Sequence, residues 1–187
     1  MKLTGSYEIN LGKHLVWEAL NNPEILKKSI PGCDEFIKNS ETNFTATATN
    51  KIGPFNASFT GDIELTDLNP PDSYKIIGQG NSSVGFASGE AEVKLQENDG
   101  ITTLTYSVEA NVGGKIAQVG SRLIDMTAKK MADIFFGKFS NLVSSGATDK
   151  EDVKSLLEKT PKTKKFNKKI LYAVIIAVIL LLIYLYK

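Results

Sequence analysis

The sequence contains one histidine, His14, and one cysteine, Cys33, and most covalent chemistry it could perform would run through them. A cysteine nucleophile needs a base within hydrogen-bond reach, and His14 is the one imidazole able to supply it. His14 falls in the first turn of a short predicted helix, whereas Cys33 follows Ile30-Pro31-Gly32 at the start of a predicted strand. The favoured reading is an inert helical histidine and a small buried thiol. Two such groups fall short of the three or four ligands of a zinc site. The carboxylates are scattered over polar strand faces and turns, and no pair has a spacing that suggests acid/base work. Gly78, Gly80, Gly85 and Gly89 superficially resemble a phosphate-binding loop. They lie in strand-rich sequence with no helix after them, so they read as bends in a sheet or as places where a ligand or helix comes close.

The remaining signal is apolar. Positions predicted to point inward mix large and small residues: Phe44, Ala46, Ala48, Ala57, Phe59, Gly61 and Ala110. Small residues at such positions mean either close helix packing or room for a ligand. A long helical segment brings Met126, Met131 and Phe135, with the same two readings. The candidate lining of an apolar cavity is therefore Phe44, Ala48, Ala57, Phe59, Tyr106, Val119, Leu123, Met131 and Phe135.

The elements that must position these residues are legible from periodicity. Leu3 to Leu11 reads as a strand, Lys13 to Leu20 as a short helix, and Pro23 suits the first turn of a second short helix over Glu24 to Ser29. Six strand-like segments follow: Cys33 to Asn39, Asn43 to Lys51, Phe55 to Leu68, Ser73 to Gly80, Val84 to Gln96 and Ile101 to Val112. Their alternation predicts an antiparallel sheet with one face buried. After Gly113-Gly114 the period changes, and a long helix is predicted from Lys115 to about Val143, with no proline from 115 to 136 and Gly120 the one weak position in that stretch. The compact solution is a curved sheet gripping that helix. One helix rarely fills the hollow of such a sheet, so a cavity is expected.

Beyond residues 1–145 the chain changes character. Residues 146–169 read as a charged linker. From Ile170 to Tyr186 every residue is Ile, Leu, Val, Ala or Tyr, a run of about 25 Å if helical, at the short end for a bilayer core. This predicts a single-pass C-terminal transmembrane helix. Tyr172, Tyr184 and Tyr186 sit at its two ends, where aromatic rings favour the interface. Lys164, Lys165, Lys168 and Lys169 flank its start, and the positive-inside rule places the preceding domain on the cytoplasmic side of the cell membrane, against membrane lipid. The N-terminus shows no apolar signal-peptide core. Residues 1–146 hold 13 basic against 17 acidic residues, and the remainder 9 against 4. The folded part thus has no basic excess and offers no case for nucleic acid.

Several segments in order resemble one family. Val16-Trp17-Glu18-Ala19-Leu20-Asn21 followed by Pro23, Ile30-Pro31-Gly32-Cys33, Lys51-Ile52-Gly53-Pro54 with Phe59-Thr60-Gly61, Gly113-Gly114-Lys115-Ile116-Ala117-Gln118-Val119-Gly120-Ser121-Arg122, and Phe135-Phe136 are similar to the CoxG family associated with carbon monoxide dehydrogenase. The resemblance covers residues 1 to about 143, and Ser29 stands where the family often has Cys. It implies an α+β helix-grip fold of the Bet v 1/START-like (SRPBCC) type, a seven-stranded antiparallel sheet around a long C-terminal helix. It also implies a non-catalytic accessory protein that helps place a molybdenum hydroxylase of the carbon monoxide dehydrogenase type at the membrane, in a fold class that typically holds apolar ligands. The cavity-prone fold, the apolar inward face and the anchor make a membrane-anchored binding module for an apolar ligand such as a quinone the leading reading. Two other functions stay open: a protein–protein membrane adaptor without ligand, and an enzyme on an apolar substrate. Gln118 and Arg122, one turn apart on the predicted long helix, read as a surface pair, with a role at the cavity mouth or a partner surface as the alternative.

Overall fold

The computed structural model describes residues 1–145. The readings for the linker at 146–169 and the anchor at 170–186 lie outside the described residues. Strand β1 (Lys2–Ile9) leads into two short helices, α1 (Lys13–Leu20) and α2 (Pro23–Ser29). Six strands follow: β2 (Cys33–Lys38), β3 (Asn43–Ile52), β4 (Phe55–Asn69), β5 (Ser73–Ser82), β6 (Gly85–Asn98) and β7 (Ile101–Gly113). Helix α3 (Ser121–Ser145) closes the described chain. The strands form one antiparallel sheet in the order β1-β7-β6-β5-β4-β3-β2, so the first strand pairs with the last.

The start of α2 shows how local sequence sets local geometry. Pro23 occupies the first helical turn, where its missing N–H costs nothing. The Asn22 side-chain oxygen accepts from the backbone N–H groups of Glu24 at 2.9 Å and Ile25 at 3.3 Å, satisfying two of the helix's orphan donors. Asn22 is 2% exposed, so water cannot replace that oxygen. Asn22→Ala is expected to cost about 1–2 kcal/mol in chemical denaturation, with Asn22→Asp recovering most of it. An unchanged midpoint for the alanine variant would show that the cap contributes nothing.

Two expectations from the sequence need correction. The first strand stops at Ile9, because the Leu11 N–H turns back onto the Ile9 carbonyl at 2.7 Å in a tight turn that leaves the ladder. The long helix begins at Ser121, not Lys115. Residues Lys115–Val119 form a separate 3-10 turn, and Gly120 sits at φ 89, a left-handed conformation that no continuing helix allows and that glycine adopts without a Cβ penalty. The Ile116 N–H meanwhile bonds the Val84 carbonyl at 2.9 Å, tying the turn to the β5–β6 hairpin. Gln118 and Arg122 consequently lie on different elements, both exposed, and are not one helical pair.

The packed core occupies one end of the grip. Ile9, Leu65, Tyr74, Val93, Leu95 and Leu104 of the sheet meet Val16, Ala19 and Leu20 of α1, Ile25 of α2, and Phe139 and Val143 of α3. All of them are buried.

Candidate functional site

Away from that end the inner face loses its cover strand by strand. On β4, Leu65 is buried, but Ile63, Gly61 and Phe59 are only half-buried. On β5 the change comes between Tyr74 and Ile76, on β6 between Val93 and Ala91, and on β7 between Leu104 and Tyr106. Helix α3 shows the same gradient: Phe139 and Val143 are buried, Phe135, Met131, Ala128 and Thr127 half-buried, and Leu123 is 37% exposed. Five elements thus open in one direction. The result is a cleft between the concave face of the sheet and the first half of α3, with side chains that face inward yet remain reachable by solvent.

Small residues make that hollow. Gly61 lies opposite Gly80, Gly78 opposite both Ile63 and Gly89, and Gly89 opposite Ala110. Residues directly opposite in an antiparallel pair share a face, so this belt lies on the inner side with Ile63. Neighbouring strands come very close to the backbone at two of these positions. A Cβ at Gly61 would lie 2.3 Å from the Gln79 carbonyl oxygen, and one at Gly89 would lie 2.4 Å from that of Glu109. Gly78 and Gly80 differ, since a Cβ on either meets nothing nearer than 3.8 Å. The belt therefore combines two glycines forced by close approach of the next strand with two that leave space.

One end of the cleft is bordered by the β3–β4 turn. Gly53, at φ 58, rests against the Val119 and Leu123 side chains, which lie 3.4 Å and 3.1 Å from where its Cβ would stand. Along the β1 edge runs an aromatic seam. Tyr7 stacks on Phe136 with ring centroids 4.2 Å apart, and its hydroxyl donates to Asp133 Oδ1 at 2.5 Å. Tyr106 lies across Gly5, where a Cβ would meet its hydroxyl at 2.5 Å.

The residues predicted to line a cavity divide accordingly. Ala48, Phe59, Tyr106, Val119, Met131 and Phe135 are half-buried, and Leu123 is exposed beside the Gly53 turn. Phe44 is packed against Phe36 with centroids 5.4 Å apart, and Ala57 is buried. Met126, 63% exposed, falls off the stripe that faces the sheet. Sequence reasoning did not single out Tyr7, Tyr74 or Phe136 as site residues. Their signal was available: Tyr74 precedes Ile76 and Gly78 on the inward period of its strand, and Phe136 lies three residues, about one helical turn, before the wholly buried Phe139.

Among the described residues no chemical machinery accompanies this cleft. His14 is exposed on α1, 3.8 Å from Glu18. Cys33 donates to the Glu35 carbonyl at 3.3 Å, and burial raises its thiol pKa. Ser29, fully buried, donates to the Ile25 carbonyl at 2.8 Å. No group of three or more His, Cys, Asp or Glu among the described residues is arranged to hold a metal ion. A separate depression of about 540 Å³ opens on the outer face of the sheet, where Ile77 is bordered by Lys2, Glu90 and Glu109. It is shallow and charged, unlike a site for an apolar molecule.

Three phenols have pKa values raised above the ordinary 10.0: Tyr7 through burial and then its bond to Asp133, Tyr74 through burial, and Tyr106 through burial. The unfolded chain ionises these groups from about pH 10 while the folded domain resists. Whatever stability this gives is present below pH 10 and declines as pH rises above it. In an absorbance titration of the folded protein, Tyr7, Tyr74 and Tyr106 are expected to ionise later than free tyrosine, with unfolding accompanying their release. Ordinary titration of all six tyrosines without unfolding would contradict this.

Comparison with known proteins agrees with the geometry. The family model for CoxG of carbon monoxide dehydrogenase matches residues 5–144. A conserved protein from Geobacillus kaustophilus has a crystal structure similar to this chain at TM-score 0.74 and 33% identity, covering 78% of this chain and 97% of that one. Protein Ms6760 from Mycobacterium smegmatis is similar at TM-score 0.57 and 19% identity, covering 75% and 89%. Ara h 8.0201, at TM-score 0.55 and 14% identity, covers 78% and 98%, and its likeness is one of fold, the Bet v 1/START-like helix grip. No curated protein matches the sequence.

Proposed function

Because the chain belongs to the CoxG family of carbon monoxide dehydrogenase, we propose that it is a non-catalytic accessory protein of a molybdenum hydroxylase, holding an elongated apolar ligand such as a quinone and recruiting the enzyme to the membrane. The observation that carries this reading is the cleft itself. Along β4, beyond the buried Leu65, its inward positions run from Ile63 to Phe55 and are apolar or glycine throughout, a length of about 26 Å at ~3.3 Å per residue. That suits a molecule with a long tail better than a compact metabolite.

The sequence beyond the described residues supports the membrane half of the reading. Residues 170–186 are apolar throughout, and Lys164, Lys165, Lys168 and Lys169 precede them, as expected of a single-pass anchor with the domain on the cytoplasmic side. A domain that takes up an apolar ligand gains from proximity to the phase in which such ligands dissolve. The carbon monoxide dehydrogenase partner rests on the family.

The test is organic extraction and mass spectrometry of the full-length protein purified from membranes. About one apolar molecule per chain is expected, together with co-purification of the molybdenum hydroxylase. A protein that retains the enzyme but carries no apolar molecule would be a plain adaptor, and the ligand half of the proposal would be abandoned.

A further inference from the structure

Tyr74 stands at the boundary between the packed core and the cleft. Its residue is 5% exposed, its ring meets that of Trp17 edge-on at 5.2 Å, and it faces the same side as its cross-strand partner Val93. The next inward position on its strand, Ile76, is already half-buried. Yet the Tyr74 hydroxyl makes no hydrogen bond among the described residues. Buried tyrosine hydroxyls normally find a partner, because an orphaned one keeps its desolvation cost. Nor is this oxygen sealed in: the one fully enclosed side-chain polar atom without a partner among the described residues is Ser144 Oγ. The Tyr74 oxygen thus borders open space. Trp17 meets the ring on the α1 side, and the inward positions beyond it on the strand, Ile76 and Gly78, open to the cleft.

Resting on the ligand-binding reading above, we infer that Tyr74 is the polar anchor of the cleft, its hydroxyl donating to a carbonyl or phenol oxygen at the leading end of an apolar ligand. The rest of the cleft wall nearby supplies no competitor. Ile63, Ile76, Gly78, Gly61 and Ala91 are apolar or glycine, and Thr127 donates its hydroxyl to the Leu123 carbonyl at 2.8 Å. At the β1 edge Tyr7 is already committed to Asp133, and the Tyr106 hydroxyl lies over the Gly5 backbone. A ligand with one oxygenated end therefore has its best partner at the closed end, its tail running along β4 towards Gly53, Val119 and Leu123. Head-first binding also puts an oxygenated ring beside Trp17, the one tryptophan of the chain.

The experiment uses the full chain in mild detergent with two probes: a p-quinone bearing a ten-carbon tail, and decylbenzene, which has a similar tail and ring but no oxygen. Quinone binding is followed by quenching of Trp17 emission, and decylbenzene binding by displacement of the quinone. Tyr74→Phe is expected to weaken the quinone about tenfold, the worth of one hydrogen bond of about 1.4 kcal/mol, and to leave decylbenzene unchanged. The ligand-free melting temperature should hold or rise, since the variant removes an unpaired polar group. Equal losses for both probes, no loss for the quinone, or a lowered melting temperature would each overturn the anchor while leaving the cleft reading intact. Failure of the wild type to bind either probe would overturn both.

Discussion

Gly78→Phe is expected to abolish binding of an apolar ligand while leaving the domain folded. Gly78 faces the cleft from the middle of β5, opposite Ile63 and Gly89. A Cβ there meets only the Asp62 carbonyl, at an ordinary 3.9 Å. The backbone therefore accepts a side chain, and strand propensity favours an aromatic residue over glycine. The phenyl ring then fills the hollow between sheet and helix that the small residues leave. A neighbouring glycine provides the control. Gly61→Ala drives a Cβ to within 2.3 Å of the Gln79 carbonyl oxygen, so the strands must shift, at a cost of about 3 kcal/mol, the upper part of the range for overpacking. The two substitutions should separate cleanly. Gly78→Phe loses the tailed quinone and keeps its melting temperature, whereas Gly61→Ala loses stability. Wild-type quinone affinity in a folded Gly78→Phe protein would show that the ligand does not lie in this cleft.

Phe139→Ala should have the largest effect on stability, about 3–5 kcal/mol, the usual loss on removing a buried phenylalanine and leaving a cavity. Phe139 is fully buried, at 0% exposure, within the cluster that joins α3 to Ile9, Leu104 and α1 and α2. It also stacks on Phe135 with centroids 5.9 Å apart. Set against a total stability of about 5–15 kcal/mol for a typical domain, the loss would bring the protein near its unfolding threshold. The denaturant midpoint should fall at constant m-value. Because Phe139 belongs to the packed end and not to the open one, quinone affinity measured under conditions where the variant remains folded should change little. A shift smaller than about 1 kcal/mol would mean that α3 is held mainly elsewhere.

The aromatic residue at the packed end and the glycine at the open end were not equally legible in the sequence. Alternation placed all seven strands, and the change of period after Gly113-Gly114 placed the helical segment. It did not show the break at Gly120, because a lone glycine within a helical pattern is usually tolerated. Only the backbone conformation, with the Ile116 N–H bonded to Val84, gives that residue a left-handed role. Inward and outward faces were readable from period two, which is why Ala48, Phe59, Met131 and Phe135 could be proposed together as a lining. Their degree of burial was not, because periodicity reports direction and not what stands opposite. Phe44 and Phe59 share a pattern in sequence, yet Phe44 meets Phe36 while Phe59 faces the cleft.

The sequence by itself determined the α+β class, the strand order along the chain, the poverty of catalytic groups and the family. Each of these depends on local period or on residue type. The tertiary structure decided which glycines of the inner belt are forced by close backbone approach and which leave room, since that depends on the distance to a neighbouring strand. It decided that Val119 and Leu123 meet the Gly53 turn, far from them along the chain. It also decided that Tyr74 is buried with its hydroxyl unpaired among the described residues. Hydrogen-bond satisfaction is a property of the assembled neighbourhood, and no spacing of residues along a strand encodes it.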